Sequence, residues 1–374
     1  GGDFGSRALE NWRVNLDIVY TEVNKGLSFR DFRAQPLRVN GVQQFTPDGR
    51  IRYDGILGTT AQRASFGITS TNPGSNRDIV AFNTDEGESY SIGVSAERSF
   101  LDRDLNVLVG YARSNIEDRV SGARFGSTAS SLYGSGASGQ DPNEEAYGTA
   151  FEQITNRFKA EVNYSNNFFG DLETRFNLFG EIRDGRPISF VMSDPSAARS
   201  PTFGVNRGGQ LLFVPDFAND ANPNDNQVGS VIFDSATSRD RFRQLVDTFG
   251  LEYGQTVGKG EGSDDQPETY QIDLQFSQEL PAFFLPGRFR FVADIQNLAN
   301  LLNDEWGIVE EFGDTLTLIN AQCADGLGVV QSGVGNPICS TYRYSSPSAT
   351  ADVRTRDNNG RSFWAIQLGL RYEF

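Results

Sequence analysis

The chain has 374 residues, and its 49 Asp and Glu against 33 Lys and Arg give a formal net charge of -16. This acidic balance excludes the basic footprint of a nucleic-acid-binding protein, and the lack of His excludes Ser-His-Asp and Cys-His catalysis. With only two Cys and no run of about 18 apolar residues, we expect no enzyme, no zinc site or other cofactor, and no membrane helix.

The first residues, GGDFGSRALENW, contain neither the basic stretch nor the apolar core of a signal peptide. We therefore expect the start of the natural protein to lie outside this sequence. On this interpretation residues 1–374 form one unit, the carboxyl-terminal part of a longer protein.

Eight segments alternate apolar and polar residues with a period of two. Period two indicates a strand with two different faces, because successive side chains leave opposite sides of the pleat. The last segment is long enough for a tilted strand that crosses a bilayer, which takes about 9 to 11 residues. The sequence thus predicts an all-β fold of about eight antiparallel transmembrane strands, centred on residues 12–20, 90–96, 105–111, 158–164, 172–182, 270–276, 289–295 and 364–374.

The connections between these segments alternate strictly between short and long. Short ones are SFLDRD near residue 101, FFGD near 169 and LPAFFLPG near 283; long polar ones cover 22–78, 114–150, 186–268 and 298–361. This layout is typical of an outer-membrane β-barrel, with short turns in the periplasm and long extracellular loops. A soluble β-sandwich has no reason to follow it.

The polar positions of the strands carry charges of both signs, among them Lys159, Glu181, Arg290 and Glu373. Arg or Lys facing lipid at mid-depth costs about 2 to 4 kcal/mol, so we expect these side chains to face the barrel interior. Two interpretations stay open for them: a solvated channel wall, or a network that contacts a plug.

Two features of the long connections have local interpretations. In SRDRFRQLVDTFG, residues 238–250, the apolar spacing predicts a short helix with Ser238 as its N-cap, either packed on the barrel mouth or docking a partner. Cys323 and Cys339 lie in one Gly-rich polar segment, which predicts a disulfide that staples a loop in an oxidising compartment.

An Asp- and Asn-rich stretch supplies the ligand-binding candidates Asp216, Asp220 and Asp225. The spacing from Asp220 onwards is that of a calcium loop, but Asp225 stands where an EF-hand has Gly, and Val231 stands where it has Glu. We therefore expect no EF-hand; a looser calcium site and a solvated acidic loop are the alternatives. The acidic balance slightly favours a cationic cargo.

The chain ends on an aromatic residue after a run of alternating hydrophobic ones. This pattern resembles the signal that the β-barrel assembly machinery reads on bacterial outer-membrane proteins. The matching positions are Ile366, Leu368, Leu370, Tyr372 and Phe374.

Four further stretches resemble the TonB-dependent outer-membrane receptors, and within them the Oar-like branch. They are DIVAFNTDEGESYSIGVS (78–95), RDGRPISFVM (183–192), QLLFVPDFANDANPND (210–225) and DIQNLANLLNDEWG (294–307). The last one is similar to the signature before the final strand, through Asn297, Leu298, Asn300, Leu301 and the pair Trp306-Gly307.

The resemblance implies the carboxyl-terminal part of a barrel of about 22 strands whose lumen is plugged. The plug and the segment that engages the TonB energy-coupling complex are not visible in this sequence, so that complex would be contacted through the missing amino-terminal part. The implied function is uptake of a bulky small-molecule, saccharide or peptide ligand across the bacterial cell outer membrane, with outer-membrane lipid and the assembly machinery as further partners. The alternative is a self-contained eight-stranded barrel with a structural or adhesive surface role, since about eight strands leave an interior filled by side chains.

Overall fold

A computed structural model describes most of the chain. The described residues are 12–54, 78–101, 104–119, 133, 136–196, 199–205, 208–261, 266–284, 286–311, 313–333, 335–349, 355–356 and 360–374. The signal-peptide question concerns residues 1–11, and one short connection includes residues 102–103; both lie outside this part.

Strands dominate the described part of the chain, as the sequence predicts. They are β1 (Trp12–Glu22), β2 (Gly26–Asp31), β3 (Arg38–Val39), β4 (Val42–Gln43), β5 (Ile79–Thr84), β6 (Gly87–Phe100), β7 (Leu105–Asp118), β8 (Gly148–Thr149), β9 (Asn156–Phe169), β10 (Leu172–Arg183), β11 (Ser189–Ser193), β12 (Gln210–Leu211), β13 (Phe213–Val214), β14 (Gln227–Val228), β15 (Val231–Phe233), β16 (Gln255–Thr256), β17 (Thr269–Pro281), β18 (Arg288–Gln296), β19 (Glu310–Glu311), β20 (Thr315–Ala324), β21 (Thr341–Ser345), β22 (Thr355–Arg356) and β23 (Ala365–Glu373). Helices include a 3₁₀ turn at Phe217–Asn219, α1 (Ala236–Thr248) and α2 (Leu298–Leu302). No described helix has the length and apolar character needed to cross a membrane.

All eight predicted alternating segments are strands of one antiparallel sheet. Its order follows the chain, β1-β6-β7-β9-β10-β17-β18-β23, with β8 paired only to the end of β7. We call these eight long strands the meander. The predicted all-β, mainly antiparallel fold class is confirmed.

The register of the meander keeps like side chains on one face. Leu16 pairs with Val94, and Val94 pairs with Tyr111, whereas on the opposite face Arg13 pairs with Glu97. Because the side-chain period of a strand is two, an in-step register of this kind separates an apolar face from a polar one across the whole sheet. In the described residues β1 and β23 each have a single neighbour in the sheet, so the meander has two edges.

The long connections gather at one end of the meander and fold into a compact body. We call this body the head; it comprises the described residues of 26–54, 136–150, 188–261 and 309–349. Its centre is a six-stranded sheet of order β12-β11-β20-β21-β15-β14. Two of its pairs, β11 with β20 and β15 with β21, are parallel. The sequence predicts polar loops for these segments and gives no sign of this second sheet.

Helix α1 supplies one wall of the head core. Phe242, Leu245 and Val246 are buried, and the Phe242 ring packs against Phe233 and Tyr344 at centroid distances of 5.7 and 5.6 Å. The helix is therefore confirmed, with its apolar side inside the head.

The predicted N-cap of α1 is wrong by three positions. Ser235 has an extended backbone, and its hydroxyl accepts a hydrogen bond from the backbone N–H of Ser238 at 3.1 Å. Ser238 therefore lies in the first turn and supplies the donor that the true cap satisfies. Both serines suit a cap, and the apolar spacing further along the helix does not distinguish them.

Candidate functional site

The apolar face of the meander is open over its whole width. Leu16, Phe158 and Leu368 expose 64%, 53% and 66% of their surface. Soluble proteins rarely leave contiguous apolar patches of this extent uncovered. The apolar face of the meander is therefore suited to contact with an apolar environment.

The opposite face carries ion pairs that join different strands. Lys159 lies 3.3 Å from Glu181, and Arg290 lies 2.7 Å from Glu279 and 3.4 Å from both Glu173 and Glu373. Most of these side chains are partly exposed to solvent, so each pair by itself contributes little to the free energy of folding. Together they form a hydrophilic surface with fixed donors and acceptors.

Aromatic side chains project from the end of the meander that carries the short turns. Phe168 and Phe169 precede one turn, and Phe283 and Phe284 occupy another, where Phe284 is 98% exposed. Phe374 stands just past the end of β23, with its ring 5.9 Å from that of Tyr372. These rings form an exposed aromatic rim at this end of the sheet.

The predicted assembly signal lies on an edge strand. Ile366, Leu368, Leu370 and Tyr372 pair across β18 with Ile295, Ala293, Phe291 and Phe289, all on the apolar face. In the described residues the other side of β23 has no strand beside it. The side chains of the signal and one row of backbone groups are thus both accessible.

The paired Asn-Leu units before the last strand close a tight chain reversal. Asn297 has a left-handed backbone with φ of 50°, and its amide donates to the carbonyls of Gly307 at 2.8 Å and Arg361 at 3.3 Å. Gly307 has a φ of +62°, and a Cβ there would lie 2.1 Å from the Asn297 Oδ1. Asn300 donates in the same way to the carbonyls of Asp304 and Trp306. The signature therefore encodes the buried amides and the glycine that this reversal requires.

Buried ion pairs hold the head segments together. Arg50 and Asp48 have side-chain exposures of 0% and 1% and lie 2.7 Å apart. The guanidinium of Arg50 also donates to the carbonyl of Leu211, and the Asp48 carboxylate accepts from the Tyr342 hydroxyl at 2.8 Å. Burial raises the pKa of Tyr342 well above its usual value, so its hydroxyl stays a donor.

A second buried pair, Asp31 with Arg199 at 2.6 Å, has both side chains fully buried. Asn143 adds an amide that accepts from the backbone N–H of Asp31 at 3.0 Å. Sequence reasoning missed all of these residues because charged positions in a polar connection are ordinarily solvated. No local pattern distinguishes Arg50 or Arg199 from an exposed Arg.

A polar cleft of about 530 Å³ opens at the base of the head. Its lining includes Arg30, Arg119, Asp141, Glu144 and Tyr147. Arg30 and Arg119 both pair with Glu144, in the case of Arg119 at 2.9 Å. Burial raises the pKa of Tyr147 to about 12, with a hydrogen bond to Glu117 acting in the same direction, so its hydroxyl is protonated at neutral pH. The cleft thus offers oriented donors and acceptors of both signs and is the best candidate ligand site in the described residues.

The three predicted acidic residues are placed in structural roles. Asp216 accepts from the backbone N–H groups of Ala218 and Asn219, Asp220 pairs with the buried Arg239, and Asp225 accepts from Asn222 at 2.9 Å. The hydrogen bond from Asn219 holds the pKa of Asp216 below its usual range. Within the described ranges no three His, Cys, Asp or Glu side chains are grouped to hold a metal ion.

Cys323 and Cys339 form a disulfide, with Cα atoms 4.8 Å apart and a sequence separation of 16. Cys323 is fully buried in β20, and its backbone N–H donates to the Thr202 hydroxyl at 3.0 Å. The stapled segment exposes Leu327, Val329 and Ile338. The disulfide therefore fixes this loop, with its exposed apolar side chains, to the head core.

Asp54 gives the head a pH dependence. Burial raises its pKa to about 6, above the value of about 3.9 for an unperturbed Asp. The folded head therefore binds this proton more tightly than the unfolded chain, and its stability is expected to fall as the pH rises from about 4 to about 6. Asp54→Asn should raise the thermal unfolding midpoint at about pH 7 but not at about pH 4.

The exposed Asp240 provides the matched control, since Asp240→Asn should shift neither midpoint. Equal shifts for Asp54→Asn at both pH values would contradict a raised pKa.

No protein-family model, curated protein or solved structure matches this chain. The likeness to TonB-dependent receptors accordingly rests on the four sequence stretches.

Proposed function

We propose that the chain is the carboxyl-terminal part of the barrel wall, with the external head, of an Oar-like TonB-dependent receptor in the bacterial outer membrane. The receptor takes up a bulky ligand, and the TonB energy-coupling complex acts through an amino-terminal part outside this sequence. The observation that carries the proposal is the two-faced meander, which exposes an apolar surface on one side and paired charges on the other.

The dimensions of the meander support its placement in a bilayer. Its strands have 9 to 14 residues, and about 9 to 11 tilted residues cross the hydrocarbon core. The aromatic rim at the short-turn end matches the girdle that outer-membrane barrels place at the lipid interface. The head then lies outside the cell and the short turns lie in the periplasm.

The two edges of the meander favour a larger barrel over a closed eight-stranded one. A closed barrel of these strands would pair β1 with β23, whereas in the described residues each of them has one neighbour. Unpaired strand edges are a liability that natural proteins cover. Further strands supplied by the rest of the receptor would pair with both edges.

The head is the ligand-capturing part in this proposal. Its cleft of about 530 Å³ falls in the size range of ligand sites, and it opens near the ends of β6 and β7 through Glu86 and Arg119. Paired charges and a phenol suit a polar ligand, such as a siderophore, a cobalamin, an oligosaccharide or a peptide.

Single-cysteine labelling tests the placement of the meander. The described cysteines are both in the disulfide, so one introduced thiol reports its own position. Leu178→Cys lies on the apolar face and Asn177→Cys on the charged face of the same strand. We expect a lipid-soluble maleimide to label only the first in outer membranes, and a water-soluble maleimide to label only the second. Equal labelling of both positions by either reagent would refute the bilayer placement.

Uptake tests the transport function. Cells with and without the intact gene would be given radiolabelled ferric siderophore, cobalamin, oligosaccharide and peptide in turn. We expect accumulation of one of them to require both the gene and the proton motive force, because TonB coupling depends on that force. If both strains accumulate all four classes equally, the transport proposal fails and the structural or adhesive role becomes the better interpretation.

A further inference from the structure

A trough crosses the apolar face of the meander. The register aligns Ala96, Val109, Ala160, Gly180 and Ile272 in one row over five strands. Three of these side chains are small or absent, so the row is lower than its surroundings. The result is an open cavity of about 610 Å³.

Bulky side chains form the wall of the trough nearest the head. The next row contains Val94, Tyr111, Phe158, Ile182 and Tyr270, aligned by the same register. The rings of Tyr111 and Phe158 pack at 4.6 Å. A chain-like apolar ligand lying along the trough would therefore contact this wall along its length.

The fold does not require glycine at position 180. A Cβ added to Gly180 would meet no heavy atom within 4 Å, and Gly180 is not among the residues with positive φ. Glycine inside a strand is unfavourable, and it often marks a place where another molecule approaches closely. The trough is thus a site that a larger side chain would simply fill.

A cation stands above the trough on the same face. Arg113 follows Val109 by four positions along β7, roughly 13 Å at about 3.3 Å per residue. It is exposed and forms no ion pair with any residue that the structure describes. In that part of the chain its guanidinium forms one hydrogen bond, to Asn156 Oδ1 at 3.5 Å.

The groups around Arg113 leave its charge available. Asn156 Oδ1 also accepts from the Tyr111 hydroxyl at 2.7 Å, while the Asn156 amide nitrogen donates to Asp184 at 2.6 Å. The Asp184 carboxylate therefore accepts a hydrogen bond from Asn156 and forms no ion pair with the Arg113 guanidinium. Guanidinium groups bind phosphate with fork geometry, and such charge-assisted hydrogen bonds are strong.

We propose that the trough binds one acyl chain of an anionic, phosphate-bearing membrane lipid whose phosphate binds Arg113. The proposal rests on the proposed function, because it needs the apolar face of the meander to lie in lipid. It commits to a lipid and not to a protein partner, since the cation lies on the head side of the trough, where the headgroups of the outer leaflet would lie.

Lipid retention tests the proposal. The full chain, purified in dodecyl maltoside micelles doped with equal phosphatidylglycerol and phosphatidylcholine, would be repurified and its bound lipid measured by mass spectrometry. We expect the wild type to retain phosphatidylglycerol preferentially. Arg113→Gln removes the charge-assisted contact with the phosphate, and Gly180→Leu fills the space that the acyl chain would occupy. Each should lower that retention by on the order of tenfold.

Matched variants on the charged face serve as controls. Gly93 also has no heavy atom within 4 Å of an added Cβ, so Gly93→Leu adds the same side chain on the other face. Arg371→Gln removes an exposed Arg from that face. Both should retain lipid like the wild type, and Ala160→Leu should repeat the effect of Gly180→Leu.

The outcomes separate this proposal from the proposed function. Retention of phosphatidylglycerol no better than phosphatidylcholine, or equal retention by Gly180→Leu and Gly93→Leu, overturns the lipid site even where Leu178→Cys is labelled from lipid. Labelling of Leu178→Cys from water only would overturn both proposals together.

Discussion

Replacing Arg50 with Met is expected to destabilise the head by about 3 to 5 kcal/mol, the cost of breaking a buried ion pair from one side. Asp48 would be left without its cation in a site with a side-chain exposure of 1%, where Thr46 and Tyr342 donate to it. The carbonyl of Leu211 would lose its charged donor as well. Arg50 also donates to the Ser138 carbonyl and to the Thr256 hydroxyl. It therefore joins its own segment to three others that are distant in sequence, and the loss of stability should extend across the head.

Hydrogen exchange of the β20 and β21 amides measures this effect. A loss of about 3 to 5 kcal/mol should speed their exchange by roughly two to four orders of magnitude if it proceeds through unfolding of the head. Arg38→Met is the control, since Arg38 is exposed and its guanidinium donates to the carbonyl of the nearby Gly41. Adding Asp48→Asn to Arg50→Met should recover part of the loss, because it removes the stranded charge. Unchanged protection in Arg50→Met would contradict the role given to this pair.

The meander could be predicted from the sequence because each of its strands has an environment that differs between its two faces. Phe158, Ala160, Val162 and Tyr164 lie on the apolar face, as their alternation indicates. Phe179 departs from the pattern, and the structure places it on the charged face between Glu161 and Asp273. One exception of this kind does not shift the register, because the neighbours of Phe179 keep the alternation.

The head could not be predicted from the sequence. Its parallel pair β11 and β20 joins residues more than a hundred positions apart, and short buried strands such as Val231–Phe233 have no alternation to reveal them. The Asp and Asn residues of the 216–226 segment are ambiguous for a different reason. The short polar side chains that ligate calcium are also those that cap turns, and the structure uses them for turns and for the pair with Arg239.

Replacing Val162 with Arg should block stable insertion of the protein, whereas Asn163→Arg should be tolerated. Val162 lies near the middle of β9 and pairs with Val107 and Leu178 on the apolar face. At the bilayer midplane an Arg on the lipid side costs about 2 to 4 kcal/mol, and the cost is near zero for a side chain in a hydrated interior. Asn163 pairs with Asn106 and Asn177 on the charged face, beside Glu161.

The readout is the fraction of protein that is folded in outer membranes, measured by protease resistance and by heat-dependent mobility in gel electrophoresis. Since the two variants add the same charge at adjacent positions, they differ only in the face that receives it. A soluble protein that buried this face against another part of its chain would also be destabilised by Arg at position 162. Its folding, however, would not depend on membranes. If Val162→Arg folds in outer membranes as well as Asn163→Arg does, the exposed apolar face is not a lipid-facing surface, and the receptor proposal loses the observation that carries it.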